Sequence, residues 1–421
     1  KFRWVHFPFT AEIPGAYTYM VTPVFMDEGG QLSYGAPQTA DIELRRDTYP
    51  GVLNVAYTRG FVSSQAFVDR YEKHGPISTL LPENADDGLT FTPTHPKTRD
   101  ALNWMGFEAR HAIYETLDEA IADPTAKVFV VAYDLSEKGF VDKLRQLGNR
   151  LKIIIDDDGD HGDAHSGESQ SAAILTASAG AANVKRQSMG KLQHNKMIVV
   201  DGDHVKKAIG GSTNFSWRGF YVQSNNAMIF AGPAPVQVFR EAFEDFWTEA
   251  GFATSRSAEW RDLGIAGVDV KATFSPHAPG NAQLGRIADD IDSTKSSLLF
   301  SLAFLWQTPG VIRDAVGRVR DNAKRFVYGI SDKKVGGLDV QKPDGNPPAV
   351  FPTALLKGKT PAPFRAEPVG GGGNRMHHKF VVIDFDKPTA RVYLGSYNFS
   401  IAADQTNGEN LILARDRRIA V

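Results

Sequence analysis

Short, nearly continuous apolar runs alternate along most of this chain with stretches of helical spacing. Residues 128–133 and 298–304 carry few polar side chains over the length of a strand. Such runs predict strands buried on both faces, because a half-exposed strand shows a polar residue at every second position. A helix-like stretch precedes each run, 110–122 and 284–292, and another comes after it, 138–147 and 310–320. The next strands are predicted at 151–155 and 326–330, each running into an acidic loop at Asp156 or Asp332. The likeness starts with Phe91-Thr92-Pro93-Thr94-His95 against Phe274-Ser275-Pro276-His277 and ends with His194-Asn195-Lys196 against His377-His378-Lys379. The offset is 274 − 91 = 183 at the start and 377 − 194 = 183 at the end, which predicts a duplication. Strands alternating with helices in a repeated order predict an α/β fold.

The first fifty residues have a different pattern. Residues 17–24 and 40–44 read as short strands, Asp27-Glu28-Gly29-Gly30 is a turn signal, and Pro8, Pro14, Pro23 and Pro37 interrupt the segment. This start is β-rich and reads either as part of a fibronectin-like module or as a β-extension of the main domain. Between the repeated halves, 235–250 has Val238, Phe239, Ala242, Phe243, Phe246 and Trp247 at helical spacing, a packing face. The expected organisation is 1–50, a β-rich segment; 51–250, the first half; and 251–421, the second. The glycine run Gly370–Gly373 is expected as a loop near the second motif or a surface connection.

Composition narrows the function classes. The 421 residues exceed one ordinary domain. No run approaches the roughly 18 apolar residues of a membrane span. Without cysteine, disulfides, thiolate nucleophiles and cysteine-ligated metals are excluded. A net charge of −2 argues against general nucleic-acid binding, which draws its affinity from neutralised phosphates. The chain opens on Lys1, so a leader peptide would not be visible in it. A β-segment joined to a Cys-free α/β chain is compatible with secretion from a bacterium.

The chemistry lies in two short patterns. His194-x-Lys196 is followed by Asp201, and His377-x-Lys379 by Asp384, each leading into an apolar strand. Residues i and i+2 of a strand share a face, so each His projects with its Lys, while His378 turns the other way. Downstream stand Gly211-Ser212-Thr213-Asn214-Phe215-Ser216 and Gly395-Ser396-Tyr397-Asn398-Phe399-Ser400. Asn214, Asn398, Ser212 and Ser396 offer N–H and O–H donors to an anionic oxygen, beside Lys196 and Lys379. Two lysines and two asparagines converging on one phosphodiester stabilise its non-bridging oxygens without a metal. Two histidines on opposite sides of that phosphorus supply a nucleophile and an acid, through a covalent phosphohistidine.

The paired H-x-K-x4-D motifs, each followed by G-S-x-N-F-S, resemble the phospholipase D superfamily over residues 88 to 421. The resemblance implies two duplicated α/β/α sandwich halves with mixed central sheets. It implies a metal-independent hydrolase that needs no cofactor, cleaves a phospholipid headgroup ester through a phosphohistidine, and transfers to alcohols as a side activity. It makes Asp201 and Asp384 structural. The family places an acidic residue about thirty positions after its His. Glu409 fits His377 (409 − 377 = 32), whereas the first half offers Asn225. That mismatch makes the histidines unequal, with His194 favoured as nucleophile and His377 as acid. The expected partner is a phospholipid or other phosphodiester, with peripheral membrane contact and a monomeric chain; a nuclease of the same superfamily and a non-catalytic phosphate-binding module are the alternatives.

Other candidates read more plainly. The acidic loop 156–163 lacks the full calcium spacing and reads as a polar loop after a strand. His111 reads as packing or surface. His95 and His277 come after matching prolines near strand ends, where fold geometry is the default and substrate contact the alternative. Trp217, Phe220 and Tyr221, with Phe304, Leu305 and Trp306, read either as the wall of a substrate entrance or as core.

Overall fold

The computed structural model describes residues 15–44, 47–60, 65–305, 308–331, 337–341, 349–352 and 376–421. Asp332, Trp306 and the glycine run 370–373 lie outside these residues. The chain forms two compact units, 1–54 and 55–421.

In the first unit, β1 (Gly15–Val21) and β4 (Gln38–Leu44) pair antiparallel, from Gly15 opposite Leu44 to Val21 opposite Gln38. Strands β2 (Val24–Met26) and β3 (Leu32–Tyr34) form a hairpin. Its turn is closed by the Asp27 carboxylate, which accepts from the backbone N–H of Gly29 at 2.9 Å and of Gln31 at 2.8 Å. No side chain of residues 15–43 is buried.

The second unit is built on two mixed sheets. The first comprises β5 (Leu53–Tyr57), β6 (Lys127–Ala132), β7 (Leu151–Ile155), β8 (Val184–Arg186), β9 (Met197–Asp201), β10 (Lys206–Gly211) and β11 (Asn226–Ala231), in the order β5-β11-β10-β9-β6-β7-β8. The second comprises β12 (Arg261–Asp262), β13 (Asp269–Ser275), β14 (Ser297–Leu302), β15 (Phe326–Ser331), β16 (Gly337–Gln341), β17 (Ala349–Pro352), β18 (Lys379–Ile383), β19 (Arg391–Gly395) and β20 (Glu409–Arg415), in the order β12-β13-β20-β19-β18-β14-β15-β16-β17. Parallel β6–β7 matches parallel β14–β15, and the antiparallel run β6-β9-β10-β11 matches β14-β18-β19-β20. This is an α/β fold of two duplicated halves with a β-rich start.

The ladders correct the repeat alignment. Val128 pairs with Val200 and Leu298 with Ile383, each six residues past its histidine, so Val128 and Leu298 are equivalent. Their offset is 298 − 128 = 170, not 183; the second half inserts 183 − 170 = 13 residues before its motif. The Phe91–His95 likeness to Phe274–His277 is therefore accidental. Phe274 and Ser275 end β13, whose place in the first sheet belongs to β5, while 91–95 contains no strand. Hydrogen-bond register defines equivalence here, and a short Phe-x-Pro pattern does not.

The apolar runs are continuous because both sheet faces are covered. Val128, Val130 and Ala132 of β6 enter one core with the helices Thr98–Ala122 and Lys138–Gln146, while Phe129 turns to the opposite face and meets Phe243 at 5.2 Å between ring centroids. Phe243 belongs to the helix Pro233–Thr248, whose buried stripe includes Val238, Phe239, Ala242 and Phe246. Phe239 lies 5.8 Å from Phe230 of β11 and 5.2 Å from Phe274 of β13, so one helix face clamps both sheets. Replacing Phe239 by Ala should cost about 3–5 kcal/mol. Gln237→Ala, on the exposed side of the same helix, should change stability by no more than about 0.5 kcal/mol. The urea midpoints of the two variants check the contrast.

Candidate active site

Both His-x-Lys motifs lie on extended backbone at the same end of equivalent strands. His194 and Lys196 immediately precede β9, and Lys379 is the first residue of β18. Alternation then sorts the side chains. His194, Lys196, His377 and Lys379 gather in one buried site. His378 turns away and packs against Tyr57 and Phe380, each at 5.5 Å between centroids. Asn195, its counterpart, accepts from Asn410 Nδ2 at 2.7 Å.

The two halves are stitched together where the motifs meet. His377 N donates to Ser224 O at 3.0 Å, and Gly408 N donates to Leu192 O at 2.8 Å. Asn410 Nδ2 reaches Gly211 O at 3.2 Å, and Asn226 Nδ2 reaches Gly395 O at 3.5 Å. Gly211 (φ 153°) and Gly395 (φ 137°) open the two G-S-x-N motifs. A Cβ at Gly211 would lie 2.5 Å from Asn226 O, and one at Gly395 would lie 2.4 Å from Asn410 O. Each glycine is needed for clearance from the neighbouring strand of its own half.

The imidazoles of His194 and His377 stand 6.4 Å apart at 71°. His194 Nδ1 contacts Glu409 Oε2 at 2.8 Å, and His377 Nδ1 contacts Asn225 Oδ1 at 2.7 Å. The sequence expectation gave Glu409 to His377 and Asn225 to the first half; the structure exchanges them. Spacing counts residues within a half, whereas β11 and β20 lie side by side with the other half's strands and present these residues across the seam. Asn225 Nδ2 donates to Gly219 O at 2.8 Å, which leaves its Oδ1 to accept. His377 thus carries its proton on Nδ1, and His194 does the same when Glu409 is ionised, which leaves both Nε2 atoms for chemistry.

Ser212 and Ser396 sit behind this pair rather than beside a phosphate. Ser212 Oγ donates to Asn225 Oδ1 at 2.9 Å, and Ser396 Oγ donates to Glu409 Oε2 at 2.6 Å. A hydroxyl has one proton, so the expected O–H donation to a phosphate oxygen is replaced by fixing the histidines' partners. Asn214 is buried, with its Oδ1 unpartnered, and Asn398 is half-buried. Asp201 pairs with Lys206 and Arg240 at 2.6 and 2.8 Å, and Asp384 accepts from the backbone N–H of Lys295 and Ser296 at 2.9 and 2.7 Å. Both acids hold structure.

Burial governs the charges. It pushes His194 and His377 well below the ordinary histidine range, with Lys196 and Lys379 adding to the effect. Lys196 is pushed down to about 7 by burial, against the pull of Glu409 and Asp134. Lys379 falls well below its usual value through burial and the nearby Lys196. Burial raises Glu409 to about 8, against the pull of Lys196. Each lysine donates to the carbonyl of its own motif histidine. An ammonium has three donors, so two remain for an anion, and an anion seated there would draw both lysines and His377 back toward their charged forms.

Sequence reasoning missed a group beside His194. The Tyr133 ring stands 4.6 Å from His194 and 4.5 Å from His161, and Lys196 Nζ lies 4.5 Å over its centroid. The acidic loop does structural work there. Asp156 Oδ1 accepts from Gln193 N at 2.5 Å, fixing the residue before His194, and its Oδ2 meets His161 Nδ1 at 2.8 Å. His161 Nε2 lies 3.3 Å from Asp134. Asp134, His161 and Glu168 hold donor atoms within 4.8 Å of one another, the spacing a cation would need. Burial works against a charged His161, but its bonds to Asp134 and Asp156 raise it to about 10, so a proton competes for that place.

The remaining candidates belong to the scaffold. His95 Nε2 lies 3.0 Å from Gly75 O, and His277 is locked between Asp404 at 2.7 Å and Thr273 at 2.9 Å. His111 is on the surface, 3.9 Å from Glu115. Trp217, Phe220 and Tyr221 are core: Trp217 Nε1 donates to Gly88 O at 2.8 Å, and Phe220 packs on Phe140 and Phe215.

Residues 117–247 match the family described as cardiolipin synthase, PLD-like domain. No curated protein gives a significant match. Among solved structures, a phosphatidylserine synthase of Haemophilus influenzae Rd KW20 is 12% identical, covers 75% of this chain and 82% of its own, and gives a TM-score of 0.50. Nuc of Salmonella typhimurium, a phospholipase D family member, is 23% identical over 33% of this chain and 88% of its own, with a TM-score of 0.27. The family match covers residues 117–247, the motif and strand order of that region return in the second half, and the synthase shares the fold over 75% of this chain.

Proposed function

We propose that the protein cleaves the headgroup ester of a phospholipid in two steps, through a phosphohistidine on His194, passing the phosphatidyl group to water or to another alcohol. The observation that carries this reading is the unequal clamping of two facing histidines, His194 by a carboxylate and His377 by an amide. In the first step, His194 Nε2 attacks phosphorus as the ester P–O bond breaks. Its ring becomes cationic as the N–P bond forms, and Glu409 is the charge placed to balance it. His377, protonated once a phosphate anion sits beside it, gives its Nε2 proton to the departing oxygen. An imidazolium bonded only to the neutral Asn225 parts with that proton more readily than one held by a carboxylate. In the second step, neutral His377 takes a proton from water or an alcohol, whose oxygen attacks phosphorus and breaks the P–N bond. Lys196, Lys379, Asn214 and Asn398 are assigned to the non-bridging oxygens, where charge accumulates.

The family description points toward phosphatidyl transfer, and the net charge of −2 argues against a nucleic-acid groove. No described helix is long and apolar enough to cross a membrane, and contact with a lipid surface is proposed as peripheral.

Headgroup release from phosphatidylcholine vesicles in EDTA should proceed as without it, and should vanish in His194→Ala and His377→Ala. Cleavage of plasmid DNA with intact vesicles would overturn the lipid assignment. Turnover of neither would return the protein to phosphate binding alone. Stopped in alkali, where a phosphoramidate survives, a turnover with labelled lipid phosphate should leave label on wild-type protein and none on His194→Ala. Label retained by His194→Ala and absent from His377→Ala would reverse the two roles. Glu409→Gln keeps an acceptor but removes the charge, and should lower kcat by about 10²-fold or more with little change in KM.

A further inference from the structure

We infer that Tyr133 is a positioning residue of this site: its ring face keeps the Lys196 ammonium in place to meet the phosphate, and its T-shaped contact sets the plane of His194. This role rests on the two-step phosphohistidine scheme and extends it to a residue outside both motifs.

Among the described residues, this geometry is found in the first half. Lys196 Nζ lies 4.5 Å over the Tyr133 centroid, on the face where the ring quadrupole is negative. His194 meets the same ring at 4.6 Å and 63°, and His161 meets it at 4.5 Å and 60°. His161 is itself gripped by Asp156 at 2.8 Å and Asp134 at 3.3 Å, so the tyrosine is braced from behind. By the register that equates Val128 with Leu298, the counterpart of Tyr133 is 133 + 170 = 303, which is Ala303. Alanine has no ring, so Lys379 receives nothing comparable from this position. The half whose histidine has the carboxylate is also the half whose lysine has the aromatic face.

A buried ammonium needs such a partner. The charged and titratable groups around Lys196 are Glu409 of β20, Asp134 after β6, Asp156 after β7, Lys379 of β18, and the two histidines. The Glu409 carboxylate is already bonded to His194 and Ser396, and Asp134 and Asp156 are taken up by His161. The Tyr133 face adds attraction for the ammonium without adding a negative charge that would repel a phosphate. The phenol itself stays neutral, since burial raises it above its usual value.

Lys196 carries its positive charge only when protonated, so activity falls as pH rises through its pKa, pushed down to about 7 by burial. Loss of the ring face lowers that pKa further. In Tyr133→Leu the basic limb of the kcat/KM profile should move down by about one pH unit, a roughly tenfold loss above it, with recovery toward lower pH. Tyr133→Phe keeps the face and should keep the wild-type limb. Tyr133→Met, of similar reach but without a ring, replaces the leucine variant should that fail to fold, as judged by its urea midpoint. Inorganic phosphate binding, followed by calorimetry across the same pH range, should show the same shift. An unmoved limb in both non-aromatic variants, or a loss equal at every pH, would overturn the inference. A wild-type protein that turns over no diester would sink the functional reading instead, and phosphate binding would still decide the role of Tyr133.

Discussion

Everything at this site depends on hydrogen bonds that cross between the halves. Glu409 and His194 are 215 positions apart, and Asn225 and His377 are 152 apart. Neither half can orient its own histidine. The orientation arises only when β10 and β11 lie against β19 and β20. Docking of the halves and assembly of the site are therefore one event. The helix that packs Phe239 between Phe230 and Phe274 supplies apolar burial at the same junction.

That junction holds an unfavourable arrangement in check. Two lysines, two histidines and a glutamate are buried together, and burial pushes every one of them toward its neutral form. Removing ions from water costs several kcal/mol apiece even after relaxation. A fold chosen for stability alone would put apolar side chains here. A site made for an anion gains from the same arrangement, because the field that disfavours a second ammonium favours a phosphate and is already oriented before it arrives.

Much of this was legible in the sequence. The paired motifs placed His194, Lys196, His377 and Lys379, strand alternation separated His378, and the apolar runs found β6 and β14. What failed was long-range. Counting from His377 to Glu409 could not reveal that β20 delivers its carboxylate to the other half's histidine. The constant offset of 183 was misleading because a chance likeness at Phe274 hid an insertion that only the ladders expose. Ser212 and Ser396 looked like phosphate donors because a hydroxyl near a site has no sequence mark showing where its proton goes. Tyr133 sat in full view at the end of a predicted strand. Its signal was the aromatic-to-alanine difference at equivalent positions, visible only once the register was known.

The exchange of partners also bears on how such a chain arises. A symmetric pair of first halves would clamp both histidines with Asn225, and a symmetric pair of second halves would clamp both with Glu409. On the mechanism proposed, the first pair would have two ready proton donors and no charge to balance a cationic intermediate; the second would have two balanced nucleophiles and no ready acid. Joining the copies in one polypeptide is what lets a single site hold one of each. On that mechanism, the covalent link between the halves is what lets two equivalent histidines take different roles.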